Sequence, residues 1–163
     1  MKRLLSAAFA LGLAATAGAE DLPGTQLFAS AGPGNVGGGH LSLAGGVSQR
    51  LLGPLSAVGE VQYARLDNGI ESTSAAAGLK WRMLGGTRVS PFVLASMGVV
   101  DYRSSFYGRT TGTASSLGAG LDWRLTDRAS AFVEARINLW TGGGIGDGLD
   151  GHVPLRAGVT LGF

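Results

Sequence analysis

The chain alternates apolar and polar residues, most clearly from Leu41 onward, in segments of about ten residues separated by glycine-rich, turn-type stretches. This period of two is that of β-strands, not the 3.6-residue repeat of helices. Eight strands are predicted, over 24–31, 40–50, 55–65, 73–83, 88–100, 113–125, 129–140 and 153–163. Their connections alternate in length. Leu51–Pro54, Leu84–Thr87 and Thr126–Arg128 are short, whereas those around 32–39, 66–72, 101–112 and 141–152 are longer. An internal echo supports the hairpin count: Gly78-Leu79-Lys80-Trp81-Arg82 precedes one short turn as Gly120-Leu121-Asp122-Trp123-Arg124 precedes another. Arg50 and Glu60, and likewise Arg124 and Glu134, stand ten apart across a short turn.

The alternation sorts the later strands into two faces. One carries Ala75, Ala77, Leu79 and Trp81, then Leu117, Ala119, Leu121, Trp123 and Leu125. It continues through Val133, Ala135, Ile137 and Leu139 to Val153, Leu155, Ala157, Val159, Leu161 and Phe163, without a charge. The other face mixes charged residues with Gly78, Gly118, Gly120, Gly158 and Gly162. A soluble sandwich would show the same alternation. Glycine argues against it, because it weakens a strand on a solvated face but makes room where side chains crowd inward. Register across the short turns places Gly46 near Glu60, Gly120 near Glu134 and Gly118 near Arg136.

The N-terminus begins with Lys2 and Arg3, an apolar stretch from Leu4 to about Ala15, and Ala17-Gly18-Ala19. These are the three parts of a secretory signal with cleavage after Ala19; the apolar run is too short for a spanning helix. The expected organisation is a signal peptide over 1–19 and one barrel domain over 20–163. Of the 13 basic residues two lie in the leader, leaving eleven against eleven acidic ones, so no nucleic-acid-binding surface is implied. Cysteine is absent, and disulfides therefore do not hold the fold.

Aromatic residues add a separate indication of a membrane-spanning band. Trp81, Trp123 and Phe163 fall on the apolar face near the short turns, with Tyr63 outward near the other end and Tyr102 and Trp140 close by. Such a pair of aromatic girdles marks a transmembrane barrel. Phe92 and Phe132 depart from this order: strict alternation points them inward, where they plug the base of the lumen unless a bulge turns them out.

With these features, and with the terminal Val159-Thr160-Leu161-Gly162-Phe163, the chain resembles the small outer-membrane barrels of the OmpA/OmpX-like group. The resemblance implies an all-β, transmembrane, antiparallel up-and-down barrel of eight strands, in the bacterial outer membrane with both termini in the periplasm. It also makes Val159, Leu161 and Phe163 part of the signal read by the outer-membrane assembly machinery.

Motifs for chemistry are sparse. The two histidines, His40 and His152, are expected at the extracellular rim near Ser104, Ser105, Asp147 or Asp150. Outer-membrane lipid A deacylases and palmitoyltransferases use a His and a Ser in such a setting. The deacylase pattern is His-x-Ser-Asn, however, and His152 is followed by Val153 and Pro154. Asp147-Gly148-Leu149-Asp150-Gly151 has too few acidic positions for a calcium loop. The glycine strings at 32–39 and 142–146 lack the Lys-Ser/Thr pair of a phosphate loop.

The distinctive polar feature is the set of inward charges. Glu60, Asp122 and Glu134 stand against Arg50, Lys80, Arg82, Arg124, Arg136 and Arg156, with Arg50, Arg82 and Arg124 expected to reach solvent beside the short turns. Paired in a narrow lumen, these charges would close it. The expected function is a structural or surface-interaction role with a closed charged lumen, without catalysis, cofactor or metal. A lipid A-modifying enzyme of the deacylase or acyltransferase type and a narrow channel are the alternatives. The expected partners are outer-membrane lipids and lipopolysaccharide, the assembly machinery and an extracellular ligand at the loops, with no nucleic acid.

Overall fold

The computed structural model describes residues 24–35, 38–65, 70–83, 88–104, 108–141 and 150–163. Among them the strands are β1 (Thr25–Asn35), β2 (Gly38–Leu52), β3 (Leu55–Arg65), β4 (Glu71–Arg82), β5 (Val89–Ser104), β6 (Gly108–Arg124), β7 (Ala129–Thr141), β8 (Asp150–His152) and β9 (Leu155–Gly162). From β1 to β8 each strand pairs antiparallel with the next, and β9 pairs with both β7 and β1, so the sheet closes. β8 and β9 are two parts of one stave. Both pair with β7 in the same register, and the ladder is interrupted at Val153-Pro154, where proline has no N–H to donate. Its carbonyl still accepts from the Arg136 N–H at 3.1 Å. The result is an eight-staved, up-and-down barrel.

Local chemistry fixes the turns. Gly53, with φ +52°, takes the left-handed position between β2 and β3. A bulge just before it, between Arg50 and Leu52, leaves the consecutive Leu51 and Leu52 both exposed. Between β6 and β7 the Thr126 hydroxyl accepts from the N–H groups of Arg128 (3.2 Å) and Ala129 (3.0 Å), tightening the reversal.

One connection differs from expectation. The segment around 101–112 is largely strand: Asp101 opposes Thr111, and the ladder runs on to Ser104 and Gly108. Arg109 clasps Asp101 across this hairpin through Nε at 2.9 Å to each carboxylate oxygen. Serine, arginine and glycine give the segment a loop-like composition, while Tyr102, Thr110, Thr111 and Thr113 supply strand propensity. Similarly, β1 continues to Asn35, past the predicted end at residue 31.

The barrel wears its apolar residues outside. Leu27, Leu43, Tyr63, Leu79, Met97, Leu117, Val133 and Val159 are exposed, so every stave contributes to the belt. The buried residues are mostly polar and face the lumen, among them Ser42, Glu60, Gln62, Asp122, Glu134, Arg136 and Arg156. Phe92 and Phe132 are also inside, at 1% and 6% exposure; no bulge turns them out. Each inward phenylalanine lies against the glycine directly opposite on the next strand. Phe28 opposes Gly46, Phe92 opposes Gly120, and Phe132 opposes Gly158. A methyl at Gly120 would collide with the Val133 carbonyl oxygen and stand 2.6 Å from Phe92 Cζ, and one at Gly158 would collide with the Ala29 carbonyl oxygen and stand 2.7 Å from Phe132 Cζ. Aromatic rings thus cover strand glycines and fill the space they leave. Phe28 and Phe132 also meet edge to face, with centroids 6.3 Å apart.

Gly120→Ala should therefore destabilise the barrel by about 1–3 kcal/mol through overpacking. Gly59 faces outward with its nearest side-chain atom, Val47 Cγ1, at an ordinary 3.7 Å, so Gly59→Ala should be nearly neutral. Urea unfolding in detergent checks the pair; equal losses would contradict the close packing at Gly120.

Candidate functional site

The register brings residues distant in sequence to one level of the lumen. Glu60 enters from β3, Glu134 and Arg136 from β7, and Arg156 from β9, where it opposes Glu134. Gly46 opposes Glu60, Gly118 opposes Arg136 and Gly120 opposes Glu134, which leaves width for the long side chains. These four form a square of alternating charge. The Arg136 Nη1 and Nη2 groups donate to the two Glu60 oxygens at 2.7 and 3.1 Å. Arg156 donates to the same oxygens at 3.3 and 3.1 Å. Glu134 Oε1 accepts from Arg136 Nε at 3.1 Å and from Arg156 Nε at 3.2 Å, and also receives Arg156 Nη2.

All four members are buried: the side chains of Arg136 and Arg156 are 3% and 1% exposed, those of Glu60 and Glu134 6% and 5%. Two acids and two bases make the square neutral. Bidentate guanidinium–carboxylate bonding offsets part of the large desolvation cost of each ion. On either side of it lie cavities of only about 20 Å³, little more than the space of one water.

Nearer the short turns is a second cluster. Asp122 on β6 accepts from Lys80 and Arg82 on β4, with closest approaches of 2.8 and 2.7 Å. The Lys80 ammonium lies 3.8 Å from the Phe92 ring centroid, so the ring that shields Gly120 also faces a cation. Arg82 Nη2 also donates to the Gln26 side-chain oxygen Oε1 at 3.0 Å. This corrects the expectation that Arg82 reaches solvent, since Asp122 draws its guanidinium inward. Arg50 and Arg124 are exposed at the mouth, and Arg50 Nε donates to the Gly53 carbonyl at 3.1 Å. The weak alternation of β1 does not reveal Gln26 and Phe28 as lumen residues; the signal for Phe28 is an aromatic directly opposite a glycine, Gly46.

Trp81, Trp123 and Phe163 are exposed on the outer face near the short turns, and Tyr63 is outward toward the other end. Tyr102, expected beside Tyr63, instead points into the lumen and is 7% exposed. Val159 and Leu161 are exposed on the outer face of β9. The side chains of His40, Ser104, Trp140, Asp150 and His152 lie outside the described residues, as do Ser105 and Asp147 altogether. Among the described residues no cluster of His, Cys, Asp or Glu could hold a metal ion.

A closed eight-staved barrel with polar inside and apolar outside invites comparison with solved structures. Neisserial surface protein A superposes with a TM-score of 0.74 at 14% identity, over 85% of this chain and 97% of that one. The chain has the fold of the small outer-membrane β-barrels. The N-terminal barrel domain of Pseudomonas aeruginosa OprF gives 0.61 at 18% identity, covering 86% and 98% of the two chains. The outer membrane enzyme PagL gives 0.55 at 19% identity, covering 83% and 98%. No family model matches the sequence, and no curated protein is similar to it. Because one of these barrels is an enzyme, the shared fold decides the architecture and leaves the activity to be argued from the site.

The square makes a quantitative expectation. Glu134→Ala leaves Arg156 and Arg136 each short of a buried partner and should cost about 3–5 kcal/mol. Replacing Arg124, exposed at the mouth, with Gln should cost less than about 1 kcal/mol. Denaturant titration of the purified barrel measures both, and equal small losses would mean that water screens the square.

Proposed function

We propose that residues 1–19 direct export and are removed, and that residues 20–163 fold as one domain in the bacterial outer membrane with both termini in the periplasm. In this reading the protein has a structural or surface-interaction role. Its lumen is closed to ions, its belt contacts outer-membrane lipids and lipopolysaccharide, and its long-loop end meets an extracellular ligand. Val159, Leu161 and Phe163 serve assembly.

The observation that carries this reading is the exposed apolar belt. Met97 at 73%, Leu117 at 62% and Val159 at 52% exposure lie on β5, β6 and β9, and the outward positions 93–99, 111–123 and 155–161 of these strands carry no charge. Soluble monomers rarely expose apolar patches beyond about 300–600 Å². In lipid the same surface is the favourable one, and the closed sheet leaves no strand edge unpaired in hydrocarbon. The neutral square and its small flanking cavities support a sealed interior over a channel. The enzyme alternative draws on the fold shared with PagL.

Tags inserted near Asn68, Tyr107 and Gly146 should be accessible on intact cells, and tags near Gly85 and Asp127 should not; the reverse would overturn the orientation. Lipid A from cells with and without the protein should give identical mass spectra. A lost or gained acyl chain would establish the enzyme instead. In planar bilayers the wild-type protein should carry no steady current, and single-channel steps that change with Glu60→Gln would replace the closed lumen with a gated one.

A further inference from the structure

The lumen opens at its short-turn end into a cavity of about 450 Å³ that the charge square does not occupy. Four arginines line it, each from a different segment: Arg50 from β2, Arg82 from β4, Arg124 from β6 and Arg128 from the turn after β6. The acids on its walls are Asp122 and Asp127. Asp122 is already held by Lys80 and Arg82, and the Glu60–Glu134 pair is neutralised by Arg136 and Arg156. Among the described residues that leaves Asp127 as the one acid on this wall against Arg50, Arg124 and Arg128. Ser56, Ser90 and Ser130 add hydroxyls to the same wall.

We propose that this vestibule binds a multivalent oxyanion, a small molecule carrying phosphate groups or several carboxylates. A guanidinium fork matches both groups in a bidentate way, which a lysine cannot do. The volume falls in the range of about 300–1,000 Å³ typical of small-molecule sites. The barrel wall is a low-dielectric rim around a cleft of one predominant sign, an arrangement that focuses the field on an entering anion. Crowding like charges at the mouth is unfavourable when the cavity is empty, and an anion relieves it. That the ligand is periplasmic rests on the orientation proposed above; binding at the short-turn mouth does not.

Titration calorimetry on the full-length barrel in an uncharged sugar detergent at low ionic strength tests the site, with pyrophosphate and citrate as probes. Saturable binding of at least one probe, one per chain, is expected. Stronger pyrophosphate binding identifies phosphate as the preferred group, and stronger citrate binding identifies carboxylate. Arg124→Gln combined with Arg128→Gln should weaken binding about tenfold or more, equivalent to about 1.4 kcal/mol or more. Arg103→Gln, on the β5–β6 hairpin at the opposite end, should leave it unchanged. Arg124→Lys, which keeps the charge but loses the fork, should give an intermediate loss and guards against a folding defect in the double variant. No saturable binding of either probe, or equal weakening by Arg103→Gln, would overturn the proposal.

Discussion

Closing a sheet with only eight staves leaves an interior just wide enough for side chains to fill it. Closure satisfies the backbone over the body of the barrel, because β9 pairs with β7 on one side and with Gln26–Ala31 of β1 on the other. The lumen then has to take every second side chain within a small cross-section. Glycine at 46, 120 and 158 answers that demand, and the phenylalanines directly opposite occupy the space it leaves. Where the refill is charged instead, as at Gly118 beneath Arg136, neutrality becomes the governing condition. Glu60, Glu134, Arg136 and Arg156 meet it by sharing two carboxylates between two guanidinia.

The energetic order of the molecule is thus the reverse of a water-soluble domain. Among the described residues the buried ones are predominantly polar and the exposed ones predominantly apolar. A buried ion network adds little net stability over an apolar filling, but losing one member is costly. Such a network acts mainly as a constraint on which side chain lies where. The Lys80–Asp122–Arg82 cluster extends this logic toward the mouth, where Phe92 supports the ammonium and Gln26 takes the outer side of Arg82. Beyond that level Arg50, Arg124 and Arg128 outnumber Asp127 among the described residues, and the interior opens into a predominantly basic vestibule.

The period of two and the short turns made the strand count, the closure and the pairing of Gly46, Gly118 and Gly120 with their charged partners legible in the sequence. They were legible because a one-residue slip would send every side chain to the wrong face. The hairpin of β5 and β6 was not, since Arg103, Ser104, Gly108 and Arg109 suggest a loop and only pairing across the sheet makes them strand. Alternation also assigns a face without a partner. It placed Arg82 inward but could not show that Asp122, on the second strand over, would hold it there. Residue type suggests the outer girdle for Tyr102, whereas its parity with Phe92 and Val100 puts it in the lumen.

The central claim is that the apolar belt faces lipid, and Trp81 and Trp123 report on it directly because both are about half exposed on the outer face near the short turns. In a Trp140→Phe variant reconstituted in liposomes, their fluorescence should be strongly quenched by phospholipids brominated on the acyl chain near the headgroup. Aqueous acrylamide should quench it only weakly. Efficient acrylamide quenching together with no effect of brominated lipid would contradict a lipid-facing belt.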